Sequence, residues 1–367
     1  MNVMAFLAYN NNGGDKISIP AISSITSNLN IIPEKKCVKT SLTKKVKEYF
    51  GGNIDYVIID FNSITIVPYL TIHDYLIKGV NYTPFIRSVM LIKQIQETLA
   101  PKYIIGVIDN GVSRKLKKII NYKGNRKHST HANLSLTSKN SDNLYKVNVK
   151  WLLEYMLAKK YMYLDISYGE ADHKIAFFIK NLLLEKEDKN LVVLSADSDY
   201  LQLIPFVNIA LYRQGKYVLF KKGSIECLNE FLGFDIINAA YYIFYKALVG
   251  DKTDNIPKIL SEQKTKNIFK KYSEELLEVE QYINPENFIN LIKKDLGQNE
   301  NERQNKKSQF FKNVYAINMF NEEIFEKNEL IMLKNSYKQM FKSFEEENPE
   351  IISQIKKMFK FLFNYEK

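Results

Sequence analysis

Three short apolar runs mark the first two thirds of the chain, and each ends in an aspartate: YVIID (56–60), YIIGVID (103–109) and LVVLSAD (191–197). Each is too short and too rich in β-branched residues for a typical helix, so each predicts a strand buried on both faces. Between them the apolar positions recur at helical spacing, over 84–99, 147–160 and 170–184. Alternating strands and helices predict an α/β fold, a mainly parallel central sheet with helices on both faces. A short helix over 41–50, stopped by Gly51 and Gly52, lies at the end of a polar, turn-rich N-terminal stretch. Residues 127–143 and 297–308 carry no period and are rich in Ser, Asn, Gln and Lys, which predicts loops. From 325 onwards the pattern is helical. The chain divides on this reading into an N-terminal extension (1–50), an α/β core (51–225) with a gateway segment (112–146), and a mostly helical region (226–367).

At 367 residues with 46% apolar content, there is ample material for one large or two ordinary cores. Two cysteines, Cys37 and Cys227, exclude a disulfide scaffold and leave no cysteine pair for zinc. No run approaches a membrane span, and Met1 to Leu7 lacks the start of a signal peptide. The expectation is a soluble, intracellular monomer with no membrane partner. Lys and Arg outnumber Asp and Glu by 52 to 41, for a net charge of +11. Such an excess favours a polyanionic partner, nucleic acid above all. Of only five arginines, two, Arg114 and Arg126, fall in RKLKKIINYKGNRK (114–127), which has seven cations and no acid.

In an open parallel sheet, sites form beyond the carboxyl ends of the strands. Asp60, Asp109 and Asp197 sit at three such ends, so a shared sheet brings their carboxylates together. Crowded carboxylates raise one another's pKa unless cations neutralise them, and oxygen-only ligands suit Mg²⁺ or Mn²⁺. Taken singly, each aspartate could merely start a loop or cap a helix. More acids join the cluster: Glu170 and Asp172 open a helix in YGEADHK (168–174), and Asp199 follows Asp197 in SADSD (195–199). In LVGDKTDNIP (248–257), Asp251 and Asp254 are one helical turn apart, and Gly250 lets the backbone approach closely. His73, His128, His131 and His173 form no zinc-ligand arrangement, and His173 is expected to face away from the acids.

Six strings in this order resemble the structure-specific 5′ nuclease (flap endonuclease) superfamily, closest to phage ribonuclease H-type and phage 5′-exonuclease members. They are VIIDFNS (57–63), GVIDNG (106–111), YKGNR (122–126), YGEADHKIA (168–176), LSADSDYLQLI (194–204) and VGDKTDNIP (249–257), with a weaker echo in EKNELIML (326–333). The resemblance spans about residues 54–260. It implies two Mg²⁺ (or Mn²⁺) ions, an inner group of Asp60, Asp109, Glu170, Asp172 and Asp197, and an outer group of Asp199, Asp251 and Asp254. It also implies that Lys123 and Arg126 touch the scissile phosphate, with Arg114 or Lys115 as the preceding basic position. Tyr122 could stack on a base or pack the helix, and Lys127 lines the rim. The 127–143 segment stands where the family carries an arch, but it is too short and polar to imply a closed one.

After Pro257 the sequence KILSEQKTKNIFKKY lacks the glycines of the family's helix–three-turn–helix hairpin, which argues against a K⁺ site. Lys264 and Lys266 keep a basic tip for duplex phosphates, in a modified element near 250–275. The expected substrate is DNA with a 5′ end, flap or nick, or an RNA–DNA hybrid, acted on beside replication proteins. A phage or viral origin fits this picture. The alternatives are a PIN-type metal-dependent ribonuclease and a non-catalytic nucleic-acid binder of the same fold; a D-x-D sugar transferase would not need the basic rim.

Overall fold

A computed structural model describes residues 38–77, 79–113, 115–116, 122–123, 138–185, 189–277, 284–344, 349–350 and 353. The expected extension before 38, the segment 124–137 and most of the tail after 344 lie outside the described residues. Strands β1 (Val38–Thr40), β2 (Tyr56–Asp60), a small hairpin β3 (Leu76–Ile77) and β4 (Val80–Asn81), β5 (Tyr103–Val107), β6 (Met162–Asp165), β7 (Leu191–Ser195), β8 (Asn208–Arg213) and β9 (Lys216–Phe220) follow in chain order. Seven of them form one sheet in the order β1-β9-β8-β7-β2-β5-β6. β6, β5, β2, β7 and β8 are parallel, while β9 and β1 close the far edge antiparallel. This is the mainly parallel α/β sheet that the three apolar runs predict.

The pleat of β2 explains the two layers. Tyr56 and Ile58 point to one core, Val57 and Ile59 to the other. The second core is covered by α1 (Lys44–Tyr49), α2 (Thr83–Thr98) and α3 (Ser138–Leu157), through Val46, Phe85, Ile92, Leu152 and Met156. The first is covered by α4 (Ala171–Glu185) and by the C-terminal helices, among them α5 (Glu226–Leu232), α6 (Tyr242–Val249), α7 (Glu262–Lys271), α8 (Glu300–Ile317) and α9 (Lys327–Ser343). Gly106, at the centre of β5, has no room for a side chain: a Cβ there would meet Phe61 at 2.5 Å and Leu164 at 2.6 Å.

Three expectations are corrected. Residues 38–50 are not an appendage, because β1 pairs with β9 and the fully buried Val46 anchors α1 in the core. Most of 297–308 is helix, the first half of α8. Its polar residues are held by the Asn299 N-cap (Glu302 N to Oδ1, 2.9 Å) and by Lys306–Glu302 at 2.7 Å, while Phe310 and Ile317 further along are buried. The expected 127–143 loop also gives way to α3 from Ser138. Cys227 is disulfide-bonded; the chain's other cysteine, Cys37, lies outside the described residues. Among the described residues no helix is long and apolar enough to cross a membrane.

Candidate active site

Strand register places the acids. Asp60 is level with Val107 of β5, and its neighbour Ile59 is level with Leu194 of β7. Asp109 and Asp197 therefore both lie two residues further along, at the same edge. Asp60 is buried, and its carboxylate accepts from Ser63 N (3.2 Å), Ser195 Oγ (3.1 Å) and Tyr200 OH (3.3 Å). Burial and then the charge of Asp109 push Asp60 up to about 7, against the Ser63 hydrogen bonds. Ser195 also receives Asp197 N at 3.0 Å, and Ser63 Oγ lies 3.0 Å from Ser195 Oγ. A hydroxyl pair thus locks the ends of β2 and β7 together.

On the other side of β2, the loop after β5 is zipped to the loop before α4. Asn110 N donates to Gly169 O (2.9 Å) and Gly169 N to Asn110 O (3.0 Å). Gly111 and Gly169 have φ of 103° and 124°, and a Cβ on Gly111 would lie 2.4 Å from Tyr168. Asp109 Oδ1 then accepts from Ala171 N at 2.6 Å, at the start of α4. Glu170 is buried and pushed up to about 7, by burial first and by Asp172, with Lys123 opposing. Its Oε2 receives Tyr122 OH at 3.2 Å and the Lys123 amine, while its Oε1 is buried with no partner. Burial also opposes ionisation of Asp172, but the His173 imidazole, by charge and hydrogen bond, and Lys123 hold its carboxyl well below the usual range. His173 is buried and faces the acids, contrary to expectation, with Nδ1 2.9 Å from Asp172 Oδ1. Burial works against the imidazolium, yet Asp172 and Glu170 raise His173 above its ordinary value.

The third group comes from the start of the 198–203 turn and from the loop after α6. Asp197 accepts from Asp199 N at 2.9 Å. Its side chain reaches solvent, but desolvation by the cleft walls, then Asp172 and Asp254, raise it. Asp199 is pushed up to about 7 by burial and by Asp197, with Lys246 opposing. Gly250, at φ 75°, starts a loop closed by Asp251 N to Ile256 O (3.0 Å) and Ile256 N to Asp251 O (2.7 Å). A Cβ on Gly250 would lie 2.7 Å from Ile256 O, so the loop needs glycine there. The loop turns Asp251 towards Lys246, whose amine lies 2.8 Å from Asp199 and 3.0 Å from Asp251. Asp254 accepts from Tyr122 OH at 3.0 Å.

All eight predicted acids are thus electrostatically joined. Asp109 and Asp197 act on Asp60, Asp172 on Glu170, Asp172 and Asp254 on Asp197, and Asp197 and Asp251 on Asp199. Carboxyls held near neutrality and an unpartnered buried Glu170 Oε1 fit a divalent cation, which would accept that lone pair and discharge the cluster. Ligand atoms of Glu170, Asp172 and His173 all lie within 4.8 Å of one another.

The basic residues divide. Lys123 is inside the cluster, over the Tyr122 ring at 4.9 Å and with φ 55°. Lys115 is spent on structure, donating to Glu323 O (2.8 Å) and Phe325 O (2.7 Å). Tyr122 is buried, which favours the packing alternative over base stacking, and its hydroxyl lies between two acids, 3.0 Å from Asp254 Oδ2 and 3.2 Å from Glu170 Oε2. Lys264 is exposed on α7; Lys266 pairs with Glu262 at 2.8 Å and lies over the Phe234 ring at 5.4 Å. Arg114, Arg126 and Lys127 lie outside the described residues. Sequence reasoning gives no role to Lys246, Ser63, Ser195 and Tyr200, although the strings around Asp60 and Asp197 contain the last three.

The mostly parallel sheet, with acids at its carboxyl edge and helices on both faces, matches the fold of solved 5′ nucleases. The bacteriophage T5 flap endonuclease, in a pseudo-enzyme–product complex with DNA and metal ions, matches with a TM-score of 0.58 at 17% identity, over 80% of this chain and 100% of that one. The bacteriophage T5 5′-exonuclease with bound zinc matches with a TM-score of 0.58 at 18% identity, over 79% of this chain and all of that one. In sequence, DNA polymerase I of Streptococcus pneumoniae is 23% identical over 209 residues, 55% of this chain. The match spans only 22% of that polymerase. No family model matches the chain.

Proposed function

We propose that this chain is a divalent-metal-dependent 5′ nuclease that hydrolyses phosphodiesters at 5′ ends, flaps or nicks of DNA. The observation that carries this reading is the convergence of eight carboxylates on one sheet edge, three of them pushed up to about 7, with Lys123 among them. Asp60, Asp109, Glu170, Asp172 and Asp197 would hold one Mg²⁺ or Mn²⁺, and Asp199, Asp251 and Asp254 a second, with some sharing. When bound, the ions supply Lewis acidity and neutralise charge at the scissile phosphate. The chain's own residues do the rest. Ser63, Ser195 and Tyr200 fix the Asp60 carboxylate. Tyr122 joins Glu170 to Asp254 across the cleft. Lys123, held in the cluster against Glu170, would offer its amine to the phosphate. Lys264 and Lys266 grip the duplex by its phosphates, a contact that releases counterions.

The test is cleavage with Mg²⁺ of end-labelled flapped, nicked, blunt and RNA-primed duplexes beside single-stranded RNA. Cuts at or near the 5′ junction support the reading. Cleavage confined to single-stranded RNA contradicts it in favour of a PIN-type ribonuclease, and binding without cleavage in favour of a non-catalytic binder.

A further inference from the structure

We infer that Lys174 is a positioning residue that sets the separation of Asp109 and Glu170. The inference rests on the metal-dependent reading above. Lys174 is wholly buried on the second turn of α4, where a lysine is rare unless paired. Its ammonium has three donors and all three are used. Nζ donates to Ile108 O at 2.6 Å and to Ser167 O at 2.8 Å, and lies 2.9 Å from Asp165 Oδ1. Ile108 immediately precedes Asp109, and Ser167 begins the loop that delivers Glu170. One side chain therefore holds together the backbones that carry two of the cluster's acids.

Asp165, at the end of β6, is held in turn. It accepts from Ser167 N (3.1 Å) and Ser167 Oγ (2.8 Å), and from Ser336 Oγ of α9. Its own carbonyl receives Ile108 N at 3.0 Å. The tie thus runs from the C-terminal helix through Asp165 and Lys174 to the acid-bearing loops. Lys174 touches none of the eight acids' carboxylates among its recorded contacts, so its effect on the cluster is through the backbone.

The experiment is calorimetric titration of Mn²⁺ into the full chain without DNA, with a thermal melt of each variant. Lys174→Met alone leaves Asp165 buried and uncompensated, which confounds folding with position. Lys174→Met combined with Asp165→Asn removes both charges. The combined variant leaves Ile108 O and Ser167 O without that donor, so it is expected to fold with a lowered melting temperature and to bind Mn²⁺ about tenfold or more weakly, the scale of lost outer contacts at metal sites. Wild-type Mn²⁺ affinity in the folded combined variant would overturn the inference and leave Lys174 as a counter-charge only. If that variant does not fold, Ser336→Ala tests the same tie from its half-buried end: weaker Mn²⁺ binding is expected, and unchanged affinity overturns it. A wild-type chain that takes up no Mn²⁺ sinks the metal-dependent reading, and this inference with it.

Discussion

Asp197 combines a modest structural duty with a central electrostatic one. Among the described residues it accepts one hydrogen bond, the cap from Asp199 N, a contact whose loss costs about 0.5–2 kcal/mol. Asp197→Ala should therefore fold, lose cleavage, and bind DNA as well as or better than wild type, because one negative charge near the phosphates is gone. Binding lost together with activity in a folded variant would make the aspartate structural. Lys123 makes the converse case. A donor aimed at charge that develops in the transition state is worth about 10²–10³ in rate. Lys123→Ala should slow single-turnover cleavage by about that factor with a smaller change in affinity, whereas Lys264→Ala should weaken binding and flatten its salt dependence. Both variants losing affinity alone would reduce Lys123 to a general phosphate contact. At this scale the acids were legible because they end strands or stand in compact strings. Lys246 was not, since a lysine within the apolar pattern of α6 gives no sign that Asp199 and Asp251 fold onto it. His173 was misread because i, i+1 neighbours on a helix do not share a face, yet at the first turn its ring bends back to Asp172.

The elements divide in the same way. β2, β5 and β7 announce themselves because a strand buried on both faces is a continuous apolar run. β8 and β9 were missed, although Gln214 and Gly215, at φ 49° and 82°, make the two-residue turn that joins them. Residues 297–308 read as a loop because they are polar throughout, while the stability of α8 comes from a cap, side-chain pairs and its buried second half. That second half has a task at the site. Asn313 is buried and donates to Ala247 O (2.7 Å) and Pro257 O (2.8 Å), bracketing the loop that carries Asp251 and Asp254. Asn313→Ala leaves the two carbonyls without that donor and should cost about 1–3 kcal/mol in urea unfolding. A change within ±0.5 kcal/mol, the range of ordinary surface substitutions, would show that the helix does not brace the loop.

For the whole molecule, the acid cluster stores repulsion that a bound cation would release. Asp60 and Glu170 rise from 3.8 and 4.5 to about 7, and Asp199 likewise from 3.8 to about 7. In that window the folded state holds protons that the unfolded state has shed, so metal-free stability falls as pH rises from about 4 through 7. Asp172, held low, acts in the opposite sense only below that window. The metal-free chain should melt higher at pH 5 than at pH 8, and Mg²⁺ should raise the melting temperature more at pH 8. Equal Mg²⁺ shifts at both values would show that the acids do not share the ion.

The most direct measurement of the central claim is single-turnover cleavage of a 5′-labelled flap by the wild-type chain, in Mg²⁺ and then in excess EDTA. The account predicts a cut at the flap junction that needs Mg²⁺ and stops with chelator. Cleavage undiminished in EDTA, or none in Mg²⁺ or Mn²⁺ by a folded chain that binds the flap, would contradict it.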